Sequence, residues 1–470
     1  MKDKTTTIYK NAILNKATDV LQIFIKYIIV IISMLFLGFI FLQSFLGSTF
    51  LDFCESSFFI EKPFWSTVLI VLIPILIAII VKIILQKYSI SIVTPNYIFL
   101  GIVTVVYTIL MIMFVYKTGI PAMDDQELIL NAANDLLNNV PDMWDKGAYC
   151  YRFPNQNGFV LFVALGLKMF GADNQMVFQY LNIPMLILSS FFLSKTIYLL
   201  FNDKKLARYS YILLLGFFQL NCYVTFVYGT LYGLAASVAG IFLLIKYFKK
   251  RNIVNGLVGI SLLSIGYGFK SNYLIMIVAA CLLLLFDAIV KKSLKSVISL
   301  VWGIVFYVVV VTSISSTIYH LTGKKVDEGT PNTAWVAMGL QESYKAPGWW
   351  NGYNAKVFAD NEYDISKTKE AISQNISERM EELKKDKDYT MSFFSKKTAS
   401  QWSEGTFECF YITNLDRGRL SNPTWTDSVK NLMVDGHSAN RAVTTICNYF
   451  IVFLWLGIIL FLIFDFRKLD

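Results

Sequence analysis

Two adjacent carboxylates are the first chemistry this sequence offers. They stand in Ile120-Pro121-Ala122-Met123-Asp124-Asp125-Gln126-Glu127, after an apolar run that Pro121 ends. A carboxylate placed there can take the proton of an attacking hydroxyl if it comes within about 3 Å of it. Asp125 is the leading candidate base. Asp124, with Glu127 three residues on, also matches a capping box, so capping competes with chemistry for it. A second group follows in Tyr151-Arg152-Phe153-Pro154-Asn155-Gln156-Asn157-Gly158. Rings beside amides suit a sugar, and a guanidinium grips a phosphate through two parallel bonds. Tyr151, Asn155 and Gln156 are therefore candidate substrate contacts and Arg152 a candidate phosphate ligand, with a plain polar turn anchored by its rings as the alternative. Lys270, in Gly268-Phe269-Lys270-Ser271-Asn272, is the second candidate cation for a phosphate, and Asn272 a candidate contact beside it. Snorkelling to the membrane surface is the simpler role for Lys270. Tyr228, in Tyr228-Gly229-Thr230, is a further candidate contact within what also reads as an ordinary hairpin turn.

The chain that must position these groups has 470 residues, of which 55% are hydrophobic and only 16% charged. A soluble chain carries about 25% charge, so the polar coat of two or three soluble domains is missing. Disordered, collagenous and disulfide-scaffold classes are excluded. The net charge of +9 does not point to nucleic acid. Residues 317–442 hold 16 basic and 17 acidic residues, so the whole basic surplus lies in the membrane part, as loops beside anionic lipid predict. The six cysteines are scattered and the two histidines, His320 and His437, are isolated, so no metal site is evident. A disulfide between outward-facing cysteines stays open.

A membrane helix needs about 20 apolar residues. Ten spans are expected, near 27–48, 64–86, 97–116, 176–200, 208–226, 230–247, 253–270, 273–290, 294–316 and 443–465. The basic clusters, among them Lys204/Lys205/Arg208, Lys249/Lys250/Arg251 and Lys291/Lys292/Lys295, fall on one side if both termini are cytoplasmic. Gly158 to Phe170 is too short to cross at about 1.5 Å per residue, so it is expected to lie at the outer surface. So is an amphipathic helix headed by the Asp pair, with Ile129, Ala133, Leu136 and Val140 along one face. The expected fold is an all-α polytopic membrane protein. It comprises an N-terminal segment with three spans (1–116), an outward loop with interfacial helices and the candidate site (117–175), a six-span bundle (176–316), an α-rich extracytoplasmic insert (317–442) and a last span with its tail (443–470). Asp287 reads as a boundary residue of the eighth span.

In the insert, Ile365, Ile372, Ile376, Met380 and Leu383 mark an amphipathic helix. Trp349, Trp350 and Asn351, with Trp402 further on, are candidate substrate contacts, because exposed indoles stack on the apolar face of a sugar. Core packing competes for the same rings.

Taken together, the outward Asp125-Gln126, the surface helix it heads, and the Tyr151-to-Gly158 turn before a second short helix resemble the type-C (GT-C) membrane glycosyltransferases. That superfamily includes protein O-mannosyltransferases and aminoarabinose transferases, and the likeness is greatest to bacterial enzymes that decorate cell-envelope polymers such as teichoic acid. It extends over residues 97–320, leaving the first two spans as additions. The resemblance implies an inverting transfer from a polyprenyl-phosphate sugar to a glycan or glycopolymer acceptor outside the plasma membrane, with Asp125 as base and Arg152 and Lys270 on the donor phosphate. It implies no cofactor and no divalent metal, membrane lipid as surroundings, and a functional partnership with a small flippase of lipid-linked sugars. A polysaccharide polymerase or ligase, and a multispan transporter or lipid flippase, are the alternatives. A transporter predicts ionisable residues inside the spans, and these spans hold almost none.

Overall fold

The computed structural model describes residues 2–52, 55–88, 94–171, 174–413 and 426–465. In chain order these form α1 (Lys2–Leu46), β1 (Gly47–Leu51), β2 (Ser57–Glu61), α2 (Phe64–Lys87), α3 (Tyr97–Thr118), α4 (Asp125–Asn138), α5 (Tyr149–Arg152), α6 (Asn157–Phe170), α7 (Met176–Phe201), α8 (Lys204–Leu215) and α9 (Phe218–Cys222). There follow α10 (Thr230–Lys250), α11 (Ile253–Phe269), α12 (Leu274–Val290), α13 (Leu294–Thr322), α14 (Thr333–Met338), α15 (Tyr353–Asp360), α16 (Ile365–Lys385), α17 (Lys387–Trp402), α18 (Cys409–Thr413), α19 (Asp427–Met433) and α20 (Ser438–Asp465). Among the described residues, eight helical stretches are long and apolar enough to cross a membrane: Gln22–Leu46, α2, α3, α7, α10, Ser271–Val290, α13 and Asp427–Phe464. The chain is an all-α, multi-pass membrane protein.

Two of the ten expected spans differ. The seventh, α11, is helical and apolar but only 17 residues long. The fifth, expected at 208–226, is broken: α8 ends at Leu215, and the Asn221 side chain turns back to donate to the Leu215 carbonyl at 2.9 Å. In hydrocarbon a helix end needs such a partner, since no water can replace it. The hairpin at 47–61 was also not expected. There β1 and β2 pair antiparallel, Thr49 opposite Phe59, in the short link between the first two spans.

The chain divides into two compact units. One comprises residues 1–90, 388–406 and 441–470. Within it, Lys62 donates to the carbonyls of Ser44 (2.7 Å) and Asn448 (2.9 Å), and the Trp455 indole donates to the Trp402 carbonyl at 3.1 Å. The other comprises 91–387 and 407–440, so the expected insert at 317–442 is shared between the two units.

In the second unit α10 lies against α7 and α11, and α11 against α13. The amphipathic helix expected after the Asp pair is α4. It buries Ile129, Ala132 and Ala133 against Phe159, Val160, Val163 and Leu167 of α6. It stops sooner than its pattern suggests. Asn139 adopts φ 56° and ends the helix, leaving Val140 outside it and exposed. α6 keeps Leu165, Met169 and Phe170 exposed on its other side, the distribution of a helix lying along an apolar boundary. The amphipathic helix expected in the insert is α16, capped by Asp364, which accepts from Lys367 N. Ile372 and Leu383 are buried and Met380 is exposed.

Candidate functional site

Asp125 is the first residue of α4, and its carboxylate Oδ2 accepts a hydrogen bond from the Tyr228 hydroxyl at 2.6 Å. The same hydroxyl accepts from Gln156 Nε2 at 2.7 Å. Lys270 closes the group, its ammonium 3.3 Å from the centroid of the Tyr228 ring. Three residues far apart in sequence thus meet around one tyrosine, carboxylate at its edge and cation on its face.

What holds Tyr228 there is a set of buried amides. Gln179 Nε2 donates to the carbonyls of Ile120 (2.9 Å) and Thr225 (3.1 Å). One turn on, Asn182 Nδ2 donates to Val224 O and Phe226 O, and the Gln126 side chain accepts from Val227 N at 2.7 Å. The irregular stretch 223–229 is thereby satisfied from α4 and α7, as backbone at membrane depth must be. Gln179 and Asn182 escaped the sequence reading, yet two amides one turn apart inside an apolar span signal such a role. Glycine does the rest. A Cβ on Gly229 (φ 77°) would stand 2.2 Å from the Phe269 carbonyl, and one on Gly158 2.1 Å from that of Gly268. The end of α11 can therefore press against both the Tyr228 turn and the start of α6, which puts Lys270 over the ring.

Asn155 Nδ2 donates to Ser271 Oγ at 3.3 Å and ties the Arg152–Asn157 turn to the Lys270 turn. Asn272, next to it, is exposed. The Arg152 guanidinium lies 5.3 Å from the Phe153 ring, and its Nε is buried without a hydrogen-bond partner. Among the described residues, neither Arg152 nor Lys270 forms a salt bridge. Burial pushes the Lys270 ammonium down to about 7, opposed by the Asp125 carboxylate. Burial, and then the Asp125 charge, push the Tyr228 hydroxyl upward, so it remains a proton-bearing donor. Buried Tyr149 is raised for the same reasons, with Tyr228 as second cause. The arrangement offers a reachable carboxylate, a cation seated on a ring, and a second cation whose buried Nε has no acceptor among the described residues.

The chain matches no protein-family model, no curated protein and no solved structure.

Other expected residues lie elsewhere. Tyr151 is stacked on Phe358 and set edge-on to Tyr363, which fastens the turn to α15 and gives its ring a packing role. Trp350 is exposed, with the Lys345 ammonium 4.7 Å from its centroid; Trp349 beside it is half-buried. Asn351 works on its own loop, donating to Gln341 and accepting from Tyr353 N. Trp402 belongs to the other unit, where it packs edge-on against Phe36 and Trp455. Asp124 holds the N-cap position with its backbone, its carbonyl accepting from Leu128 N at 3.1 Å. Its side chain makes no capping bond, contrary to the capping-box expectation. Of the cysteines, Cys150, Cys222 and Cys281 are free thiols, Cys409 and Cys447 are buried, and Cys54 lies outside the described residues. Asp287 is more than a boundary residue. It is buried and takes a bidentate pair from Arg251 at 2.6 and 2.7 Å, with Ser296 as a further donor.

Proposed function

We propose that the protein is an inverting membrane glycosyltransferase of the type-C kind. It moves a sugar from a polyprenyl-phosphate carrier to a glycan or glycopolymer of a bacterial cell envelope, on the outer face of the plasma membrane. The carrying observation is the convergence on Tyr228 of the Asp125 carboxylate and the Lys270 ammonium. The acceptor hydroxyl attacks the anomeric carbon and gives its proton to Asp125. The bond from that carbon to the phosphate oxygen breaks, and the carrier phosphate leaves with the electron pair. Lys270 and Arg152 neutralise that charge at the depth of a lipid headgroup, where a preorganised cation stabilises a leaving anion most. Single displacement inverts the anomeric centre.

The test is transfer by the purified full chain from a polyprenyl-phosphate sugar to isolated envelope polymer, with the anomeric linkage read by NMR. Retention of configuration, or no transfer from any such donor, sinks the proposal. Orientation is tested by thiol labelling of intact cells carrying Ser343→Cys or Ser293→Cys: only the former should react from outside.

A further inference from the structure

At the ends of α10 and α11 remote from Tyr228 and Lys270, a second charged assembly is built from two turns. The α10–α11 turn carries Lys249, Lys250 and Arg251, and the α12–α13 turn carries Lys291, Lys292 and Lys295. Two of these six cations, Arg251 and, at 3.9 Å, Lys291, pair with the Asp287 carboxylate, which they consume. The Arg251 guanidinium takes both its oxygens, Ser296 donates to it, and Tyr247 and Ser296 share a hydrogen bond of 2.6 Å. Burying an ion pair does little for stability against an apolar alternative. Here it fixes one turn against the other. Lys295 adds a bond to the Arg251 carbonyl at 3.0 Å, and Lys249 caps the end of α7 at the carbonyls of Leu199 and Leu200. Both turns pass through left-handed backbone, Arg251 at φ 54° and Lys292 at φ 48°. Lys250 and Lys292 remain, exposed and without an acidic partner among the described residues.

The surroundings decide what such cations face. Val254, Ile289 and Leu294, each within a few residues of a lysine, are 59%, 55% and 70% exposed. That rim belongs to the ends of membrane helices, at headgroup depth, where a lipid covers it with acyl chain while its phosphate meets the lysines. From this we infer that the α10–α11 and α12–α13 turns form a binding site for the headgroup of an anionic phospholipid. Lys250 and Lys292 donate to the phosphodiester, and the Arg251–Asp287 pair ties the two turns that carry them to each other. The site is independent of any transfer chemistry.

The experiment uses the full chain in nanodiscs of phosphatidylcholine into which phosphatidylglycerol is titrated, reading bound lipid by native mass spectrometry and the unfolding midpoint in parallel. Phosphatidylglycerol should bind and raise the midpoint. At about 1 kcal/mol per lysine, Lys250→Gln with Lys292→Gln should weaken it about 30-fold. The pair Lys204→Gln with Lys205→Gln, which removes equal charge at the start of α8, should leave the response intact. Inorganic phosphate alone should not reproduce it. The inference is overturned if phosphatidylcholine acts equally, if phosphate alone suffices, or if the two double variants lose the same affinity, because the effect would then be general charge.

Discussion

Asp287 accepts two guanidinium hydrogen bonds from Arg251 and one from Ser296, whereas Asp125 accepts a single bond, from the neutral hydroxyl of Tyr228. Asp287 is buried and Asp125 exposed. The contrast extends to the cations: Arg251 is locked in its pair, while Lys270 faces a ring. A carboxylate whose lone pairs are taken up has no position left for a substrate proton. One with a free oxygen, oriented by a neutral donor, keeps room for a substrate hydroxyl. Two aspartates in one chain are thus sorted by coordination, one joining helices and the other available to chemistry.

The comparison breaks or holds most clearly on charge removal. Asp125→Asn should lower transfer by about 10²–10⁴-fold, the contribution of a positioned proton acceptor, with the unfolding midpoint little changed. Asp287→Asn should do the reverse. It leaves Arg251 without its counter-ion, which destabilises a fully buried pair by about 3–5 kcal/mol. Since Arg251 is 31% exposed, about 2–3 kcal/mol is expected here. Transfer per folded molecule should persist. If both variants lose transfer equally at equal folded fraction, the sorting of the two residues fails.

Lys270 sharpens the comparison through pH. With the free ammonium titrating at about 7, a donor phosphate that prefers the charged form draws a proton onto it above that pH. Carrier affinity should be full below pH 7 and fall by up to about tenfold per unit above it, in a binding titration with polyprenyl phosphate. Lys270→Arg should flatten that slope. Stability of the free protein runs the other way. The group's folded value lies below its ordinary 10.5, so the unfolded chain holds more protons between about 7 and 10.5, and stability rises with pH there. A carrier affinity independent of pH from 6 to 9 would remove Lys270 from the phosphate.

Much of this was legible in the sequence, and what was not has a physical cause. Asp125, Gln156, Tyr228 and Lys270 announce themselves as polar residues at the margins of apolar runs, where periodicity is uninformative and side-chain type is not. Their meeting depends on Gly158 and Gly229 admitting carbonyls at distances that no pattern encodes. Arg251 and Asp287 are separated by two helices, and only their packing shows that charge expected at a membrane boundary is paired. The break near Gly216 depends on Asn221 bonding backward to Leu215, a local competition that a hydropathy window averages away. Tyr151 and Trp402 suggest sugar contacts through their rings, and rings serve packing as readily as sugars.

Tyr228 carries two roles that one substitution separates. Tyr228→Phe removes the bond to Asp125 but keeps the ring under Lys270. A hydrogen bond to a charged group contributes about 1.5–3 kcal/mol, part of which is recovered by water at this exposed carboxylate, so transfer should fall about tenfold. The pH slope of carrier binding should stay. Tyr228→Leu should disturb both transfer and that slope, and a Phe variant with undiminished transfer would mean that Tyr228 does not orient the base.

The smallest expected effect lies one residue before the base. Asp124 sits at φ 53° and ψ −129°, a backbone region that disfavours a side chain, and its carboxylate does not cap α4. Glycine meets no such penalty, so Asp124→Gly should raise stability by up to about 1 kcal/mol, less the freedom glycine adds to the unfolded chain. Asp124→Asn should be nearly silent, since Asn tolerates positive φ better than most residues and the cap is made by the backbone carbonyl, which it retains. Transfer rates of the two variants, measured beside Asp125→Asn, divide the dipeptide. On the proposed function, the first aspartate aims the helix and the second supplies the chemistry. A transfer defect in Asp124→Asn that matches or exceeds that of Asp125→Asn would move the base to Asp124, and the Tyr228 contact would then orient the helix start instead of the reacting carboxylate.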